Sequence, residues 1–357
     1  MERATYRIID ANFNRAREAA RVIEEFCRFA LNSAQFSERA KQLRHKLSAS
    51  LDNLDAGRLL SSRDTLGDVG VGKTVPVDAG IWQLERTDLK STFTAACKRL
   101  TEALRTLTET TQTQNRSVAQ MLEKLRFDAY ALEKDIVLFA EPAEKFKRVK
   151  LYVIISSHLP ADIIRLTQHC VAGGADCIQL RAKNINDDGF FAVAVEFVKV
   201  CKDAGILSII NDRLDIAVAA GADGVHLGQN DLPIEQARKL QLAPLIIGQS
   251  THSRKQLETA CEALPVYVSL GPVFSTGTKP EAVPVGLEYV RDATRELVDT
   301  GIGSVAIGGI TLENVEKVLK AGAKAIAVCS AVTEVDEPAA ACQALKEKIT
   351  AFKKDNS

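Results

Sequence analysis

Two aspartates, Asp212 and Asp231, follow neighbouring apolar runs in the second half of a chain of 357 residues. Asp212 lies in the segment 210–213, and Asp231 ends the segment 224–231. In a parallel β/α barrel the strands are buried, and the polar side chains that follow them meet at the C-terminal mouth. Carboxylates from two adjacent strand ends suit Mg²⁺, a hard cation that keeps several waters and also binds substrate phosphates. The spacing predicts a Mg²⁺ site at Asp212 and Asp231.

Basic, amide and hydroxyl side chains follow the other apolar runs. Gln179, Arg181 and Lys183 alternate along the chain, which places them on one face of a strand. An inward-facing arginine and lysine suit a barrel only where an anion lies at its mouth. In the loop 271–280, the four residues 276–279 add two hydroxyl groups and an ammonium group, which together can bind an oxyanion. The predicted substrate-binding residues are Gln179, Arg181, Lys183, Asn211, Ser250, Thr276, Thr278, Lys279, Gly309 and Ser330.

This pattern predicts two anionic groups in the substrates. The first group would be bound by Mg²⁺ and by the three predicted catalytic cations, Arg181, Lys183 and Lys279. Such a concentration of positive charge is typical of a site that binds a pyrophosphate leaving group. The second group, the phosphate of a phosphorylated acceptor, would be bound by hydroxyl groups and backbone amides at Thr276, Thr278, Gly309 and Ser330.

The elements that must position these residues follow from periodicity. Apolar runs that alternate with helical segments predict a parallel sheet, and eight repeats in about 210 residues suit a (β/α)₈ TIM barrel. The predicted helices include 187–203, 254–263 and 312–321. The predicted strands are 149–155, 176–181, 206–210, 224–228, 244–248, 266–270, 304–308 and 325–329.

The first part of the chain has a helical pattern and an internal repeat. Segment 13–25 resembles segment 97–109, offset by 84 residues, and a second resemblance links 42–46 with 124–128. Two helical hairpins related by duplication account for both. The fold class predicted is therefore α/β, with an all-α domain built from a duplicated helical hairpin before the TIM barrel. A charged, proline-containing linker is expected at 140–148, between domains at 1–145 and 146–357.

A glycine-rich stretch, 67–74, matches the P-loop pattern G-x-x-x-x-G-K-[ST]. That motif needs a helix directly after it, and Pro76 opposes one. Contact with phosphate in some other geometry stays open.

Composition limits the partners and the compartment. Basic and acidic residues are equal, 46 of each, which argues against nucleic acid and anionic membranes as partners. The absence of a bilayer-length apolar run and of a signal-peptide pattern points to the cytoplasm. The eight cysteines are scattered and are predicted to be small buried hydrophobes. Small-molecule substrates are expected, and the sequence leaves a homo-oligomer open.

The ordered motifs of the second part resemble thiamine-phosphate synthases over about residues 148–350. They are I-Q-L-R-x-K, N-D-R, G-V-H-L-G-Q-x-D, G-x-S-x-H, G-P-V-F-x-T-x-T-K and A-I-G-G-I. The resemblance implies coupling of hydroxymethylpyrimidine diphosphate to the phosphorylated thiazole, giving thiamine monophosphate and pyrophosphate. It also assigns the metal ligands to Asp212 and Asp231, and the pyrimidine contacts to Gln179 and Ser250. The implied pyrophosphate ligands are Arg181, Lys183, Asn211 and Lys279, and the implied thiazole-phosphate site is Thr276, Thr278, Gly309 and Ser330.

The first part resembles a helical domain fused to such synthases, through motifs at 12–25, 43–45 and 63–70. Members of that family phosphorylate hydroxymethylpyrimidine phosphate, which implies ATP as a co-substrate. The implied phosphate and metal contacts are Arg63, Asp64, Asp68, Gly70 and Lys73, with Arg17, Arg21 and Arg44 as further candidates.

Three alternatives remain open at this stage. The helical part could be a non-catalytic dimerisation module with solvated charged faces. The barrel could be a thiazole tautomerase, which would need a proton-shuttling His252 and no metal pair. The chain could also be a regulator that binds thiamine phosphate without turning it over.

Overall fold

The computed structural model describes residues 2–52, 54–64, 88–182, 185–241, 243–278 and 280–355. The chain divides into two compact units, Met1–Val137 and Leu138–Ser357. Among the residues that the structure describes, no helix combines the length and the apolar character needed to cross a bilayer.

The first unit is helical. α1 buries Ile9, Phe13, Ala16 and Ile23 along one stripe, and it packs against α4 and α2. The Asp88 side chain accepts a hydrogen bond from the Ser91 N–H and so caps α4. The helices are α1 (Glu2–Glu25), a π-helical turn (Phe26–Ala30), α2 (Ala34–Leu51), α3 (Ala56–Ser62), α4 (Leu89–Thr111) and α5 (Arg116–Phe146).

The predicted duplication is confirmed as two pairs of long helices, α1–α2 and α4–α5, each joined by a short connection. Equivalent ion pairs recur at the offset of 84 residues. Arg21 Nε lies 3.0 Å from Glu25 Oε1 on α1, and Arg105 Nε lies 3.0 Å from Glu109 Oε1 on α4.

The linker predicted at 140–148 is wrong over most of its length, because α5 continues through Pro142 to Phe146. A proline inside a helix removes one backbone hydrogen bond. Burial of Phe139, Ala143 and Phe146, spaced three or four residues apart, offsets that loss. The division between the two compact units therefore falls inside a continuous helix.

The second unit is a closed barrel of eight parallel strands, in the order β1 to β8. The strands are β1 (Leu151–Ile155), β2 (Cys177–Leu180), β3 (Leu207–Asn211), β4 (Gly224–Leu227), β5 (Ile246–Thr251), β6 (Tyr267–Leu270), β7 (Gly303–Ile307) and β8 (Ile326–Val328). The prediction of a (β/α)₈ barrel is confirmed, and each predicted strand overlaps an observed one. Every residue of β1, β2, β4 and β6 is buried, which explains their mostly apolar sequence.

Helices connect successive strands. α7 and α10 have the bounds that the sequence predicted, whereas the helix predicted at 312–321 is shorter in the structure. The connecting and closing helices are α6 (Pro160–Ala172), α7 (Asp187–Asp203), α8 (Leu214–Ala220), α9 (Ile234–Leu240), α10 (Arg254–Ala263), α11 (Gly286–Glu296), α12 (Val315–Lys320), α13 (Ser330–Thr333) and α14 (Pro338–Asp355).

Aromatic rings fill the barrel interior. The Phe146 ring stacks on the Tyr267 ring with centroids 4.1 Å apart and planes 7° apart. Tyr152 and Tyr267 are fully buried. A Cβ atom at Gly248 would lie 2.1 Å from Tyr267 Cζ, so this strand position must be glycine for the ring to fit.

All eight cysteines are free thiols. Six are buried and two, Cys261 and Cys329, are half-buried, which confirms their prediction as small core residues.

Candidate active site at the mouth of the barrel

A cavity of about 410 Å³ opens where the strands end. Its size is within the range of small-molecule sites. Its lining combines residues that lie in, or directly follow, all eight strands. Eight of the predicted substrate-binding residues lie on its walls, namely Gln179, Arg181, Asn211, Ser250, Thr276, Thr278, Gly309 and Ser330. Lys183 and Lys279 lie outside the described residues.

The cavity also has apolar walls that the sequence did not single out. Ile154, Pro272, Ile307 and Ile310 face it from three strand ends, those of β1, β6 and β7, and Val283 also lines it. Apolar walls with a few convergent polar groups suit a flat heterocycle whose edge makes hydrogen bonds. Arg181, which donates to Ser156 Oγ at 3.2 Å, adds a cation beside this apolar space.

A buried chain of hydrogen bonds crosses the floor of the cavity. Gln179 Nε2 donates to Tyr152 Oη at 2.7 Å, and the Tyr152 and Tyr267 hydroxyl oxygens are 2.9 Å apart. His226 contacts Tyr267 Oη through Nδ1 and Ser250 Oγ through Nε2, each at 2.9 Å. Burial raises the pKa of both tyrosines well above the ordinary value, so both hydroxyl groups stay protonated.

One proton arrangement gives every buried hydroxyl group of this chain an acceptor. Tyr152 accepts from Gln179 and donates to Tyr267, and Tyr267 donates to His226 Nδ1. His226 Nε2 then donates to Ser250 Oγ. In this arrangement the hydroxyl proton of Ser250 is available to a ligand, so Ser250 is a donor.

The loop after β6 and the turn after β7 hold each other in place. Val273 N–H donates to Ile307 O at 2.8 Å, and Phe274 N–H donates to Gly308 O at 3.0 Å. Gly309 has a φ of +62°, and a Cβ atom there would lie 2.4 Å from Ser275 O. Only glycine tolerates both conditions. This contact brings Thr276 and Thr278 to the same cavity as Gly309.

The two predicted metal ligands lie at neighbouring strand ends but do not line the cavity. β3 pairs with β4 in a register that sets Asn211 opposite His226. Asp212 follows with a φ of +63°, and its N–H donates to His226 O at 2.8 Å. Asp231 Oδ2 accepts from Gly228 N–H at 2.6 Å.

The donor set fits a cation that takes most of its ligands from elsewhere. Within the described ranges, no group of three or more His, Cys, Asp or Glu side chains forms a complete metal cage. Two carboxylates at adjacent strand ends suit Mg²⁺, which keeps waters and takes phosphate oxygens, better than Zn²⁺.

Arg213, next to Asp212, has a structural role that the sequence did not reveal. Its guanidinium lies 2.6 Å from Asp187 Oδ1 and 2.7 Å from Asp215 Oδ2. Hydrogen bonds to Asp215 and Asp187 raise the pKa of Arg213, and the ion pairs hold the turn after β3.

His252 lines the cavity and contacts Gly271 O through Nδ1. The motif G-x-S-x-H was the available signal for His252.

Three candidates of the helical unit, Arg63, Arg44 and Arg21, are held in ion pairs. Arg63 makes two hydrogen bonds to the Asp10 carboxylate, at 2.7 and 2.8 Å. Arg7 Nη2 donates to the Asp64 carbonyl oxygen at 3.2 Å. Arg44 Nε lies 2.7 Å from Glu24 Oε2. Outside the described residues lie Asp68, Gly70 and Lys73.

Comparisons with known proteins match both units. Residues 151–332 match the family model described as thiamine monophosphate synthase, and residues 7–135 match the ThiD2 family. Thiamine-phosphate synthase from Nostoc punctiforme is 34% identical over 353 residues, covering 99% of this chain and 96% of that protein. The same-named protein of Synechocystis sp. is 36% identical over 348 residues, covering 97% of each. A solved structure, thiamine phosphate pyrophosphorylase from Pyrococcus furiosus, matches with a TM-score of 0.54 and 32% identity, covering 58% of this chain and 98% of that one.

Proposed function

Since the chain belongs to the thiamine-phosphate synthase family, we propose that its barrel couples 4-amino-2-methyl-5-hydroxymethylpyrimidine diphosphate to 4-methyl-5-(2-phosphooxyethyl)thiazole. The products are thiamine monophosphate and pyrophosphate. Both resemblances noted in the sequence are confirmed by the family matches, and the chain is an enzyme of thiamine biosynthesis. The observation that carries the proposed reaction is the gathering of eight predicted substrate contacts on one cavity.

The proposed reaction requires mainly that the protein position the two substrates and stabilise the charge that develops on the departing pyrophosphate. The pyrimidine amino group donates electron density as the exocyclic C–O bond to pyrophosphate breaks, and the thiazole nitrogen then bonds to that carbon. Arg181, Lys183, Asn211 and Lys279 would hold the departing pyrophosphate. Stabilising charge that develops in the transition state is the effective use of such cations.

The floor of the cavity would bind the pyrimidine ring. Gln179 and Ser250 lie at the two ends of the buried hydrogen-bond chain. With its proton free, Ser250 would donate to a ring nitrogen, and the apolar walls would exclude water from the reacting carbon. The thiazole phosphate would be bound by Thr276, Thr278, Gly309 and Ser330.

Asp212 and Asp231 would hold Mg²⁺ at the ends of β3 and β4. When bound, this cation would neutralise part of the pyrophosphate charge. Asp231 keeps Oδ1 for that purpose while its Oδ2 accepts from Gly228 N–H.

Pyrophosphate release by the full-length protein tests the proposed reaction. Release should require both substrates and Mg²⁺. A thiazole tautomerase would instead isomerise a thiazole with neither the pyrimidine diphosphate nor metal. A thiamine-phosphate-binding regulator would release no pyrophosphate with any combination of substrates. Either result contradicts the proposal.

For the helical unit we propose phosphorylation of the pyrimidine monophosphate by ATP. The match of residues 7–135 to the ThiD2 family supports it, as does the fusion to an enzyme that would use the product. Arg63, Asp64, Asp68, Gly70 and Lys73 are the contacts proposed from the sequence. ATP chemistry needs cations between the phosphates, so Mg²⁺ is proposed here as well.

ADP formation by the full-length protein tests this second activity. The assay omits the thiazole phosphate, so that the barrel cannot consume the diphosphate product. ADP should form only when the pyrimidine monophosphate is present. If no ATP is consumed under any condition, the helical unit is a non-catalytic module, such as a dimerisation module.

A further inference from the structure

A second cleft, of about 750 Å³, lies in the helical unit between α4 and α5. Its lining is mostly polar, and none of its residues is among the site residues predicted from the sequence. The lining residues are Arg105, Thr108, Glu109, Gln112, Arg116, Ala119, Gln120, Glu123 and Arg126. We call this set the α4–α5 cleft.

Three guanidinium groups face this cleft against two carboxylates, which leaves an excess of positive charge. Each carboxylate pairs within its own helix. Arg105 Nε lies 3.0 Å from Glu109 Oε1, and Arg126 Nη2 lies 2.6 Å from Glu123 Oε1. In the part of the chain that the structure describes, no carboxylate lies within 4.0 Å of the Arg116 guanidinium.

The duplicated hairpin shows what is missing from the cleft. In the first repeat, Glu24 of α1 pairs with Arg44 of α2 at 2.7 Å, so a carboxylate bridges the two helices. Glu24 is only 8% exposed. At the offset of 84 residues its counterpart on α4 is Thr108, whose Oγ1 donates to Leu104 O at 2.9 Å. The second repeat therefore keeps the arginine and lacks the bridging carboxylate.

Arg126, the counterpart of Arg44, is held in place without that bridge. Its side chain is only 15% exposed. Its guanidinium lies 5.0 Å from the centroid of the Phe127 ring and 5.8 Å from that of Tyr130. An arginine fixed by packing loses little rotamer entropy when it binds an anion.

We propose that the α4–α5 cleft binds a phosphate group of a small phosphorylated molecule through Arg105, Arg116 and Arg126. Arginine forks match the geometry of phosphate oxygens, and Gln112 and Gln120 offer further donors. This inference rests on the proposed kinase activity, because both of its substrates carry phosphate. The phosphate would occupy the place that the Glu24 carboxylate fills in the first repeat.

Chemical labelling of arginine in the full-length protein measures directly whether a ligand occupies this cleft. Phenylglyoxal modification of Arg116, followed by mass spectrometry of its peptide, is measured alone, with ATP, and with the pyrimidine monophosphate. At saturating ligand, labelling should slow by about tenfold with at least one of them. Protection by ATP identifies a nucleotide phosphate site, and protection by the other ligand identifies an acceptor site. Equal labelling under all three conditions overturns the proposal.

Matched substitutions provide the second measurement. Arg116→Gln should raise the dissociation constant of the protecting ligand by about tenfold, the usual effect of losing one charge-assisted hydrogen bond. Lys124→Gln removes the same charge from the exposed face of α5 and should leave binding unchanged. Thr108→Glu restores the carboxylate of the first repeat and should also block binding, whereas Thr108→Gln, of similar size, should not. Equal binding by Arg116→Gln and wild type contradicts the proposal.

The phosphate site in the α4–α5 cleft and the kinase activity can be tested separately. Protection of Arg116 without ADP formation supports the phosphate site and contradicts the kinase activity. ADP formation with the same rate in wild type and Arg116→Gln supports the kinase activity and contradicts the site. Pyrophosphate release by the barrel should be unchanged in every variant, which controls for folding.

Discussion

One carboxylate oxygen of Asp231 is already used by the fold. Its Oδ2 accepts from Gly228 N–H at 2.6 Å and so closes the turn after β4. Asp212 is held through its backbone as well, since its N–H donates to His226 O and its φ is positive. The two side chains are therefore positioned by short local contacts, and their metal-binding role can be tested by changes that preserve those contacts.

Asp212→Asn and Asp231→Asn should each lower kcat/KM for coupling by about 100-fold or more, because a bound metal contributes several kcal/mol of charge stabilisation. An amide oxygen still accepts from Gly228 N–H, so thermal unfolding should change little. When activity is titrated with Mg²⁺, both variants should need a higher Mg²⁺ concentration to reach half of their maximal activity. Asp203→Asn, at an exposed ion pair with Lys199, is the matched control. Near-normal turnover by the double variant contradicts the metal assignment.

Strands β5 and β6 connect the packing of the barrel to the floor of the site. Gly248 of β5 lies opposite Tyr267 of β6 in the sheet register. The Tyr267 ring then fills the space above Gly248, stacks on Phe146 and reaches His226. One strand position without a side chain thus sets the ring that orients the hydrogen-bond chain to Ser250.

Gly248→Ala should destabilise the barrel by about 1–3 kcal/mol, the usual cost of an extra methyl group in a packed core. Displacement of Tyr267 should also raise the KM for the pyrimidine diphosphate, because Ser250 loses its fixed orientation. Chemical denaturation and steady-state kinetics measure the two effects. Gly277→Ala is the control for stability, since a Cβ atom there meets nothing within 4 Å. Equal stability of Gly248→Ala and wild type would show that the ring is free to move.

Both units bury ionisable groups in their neutral form. Burial raises the pKa of Cys27 in the helical unit to about 12, and that of Cys201 in the barrel to about 12, from an ordinary value of 9.0. Tyr152 and Tyr267 also have pKa values well above the ordinary one. The folded chain therefore keeps protons that the unfolded chain releases above about pH 9.

This difference predicts alkaline destabilisation of the whole molecule. Above the unfolded pKa the unfolded state binds fewer protons, so the free energy of unfolding falls as pH rises toward the folded pKa. Each such thiol contributes a loss of about 1.4 kcal/mol per pH unit. Urea unfolding at pH 8, 9 and 10 should show this decline, and Cys201→Ala should show a shallower one. The same pH dependence in both proteins would contradict the assignment to Cys201.

Several features of the molecule could be predicted from its residues alone. Parallel strands buried on both faces are continuous apolar runs, so all eight could be located. The polar residues after them had to meet at one mouth, and the structure places eight of them on one cavity. The duplication was visible because Arg21 and Arg105 keep the same neighbours. The cytoplasmic location and the roles of the site residues stay predictions.

Other features required the tertiary structure, because they depend on partners far apart in the chain. Tyr152 and Tyr267 are 115 residues apart, and Tyr267 and His226 are 41 apart, so no local pattern revealed the chain that makes Ser250 a donor. Packing of Phe139 and Phe146 carries α5 through a proline that local rules treat as a break. The α4–α5 cleft depends on which carboxylate reaches which arginine between helices, and that pairing is determined by side-chain geometry rather than by spacing along the chain.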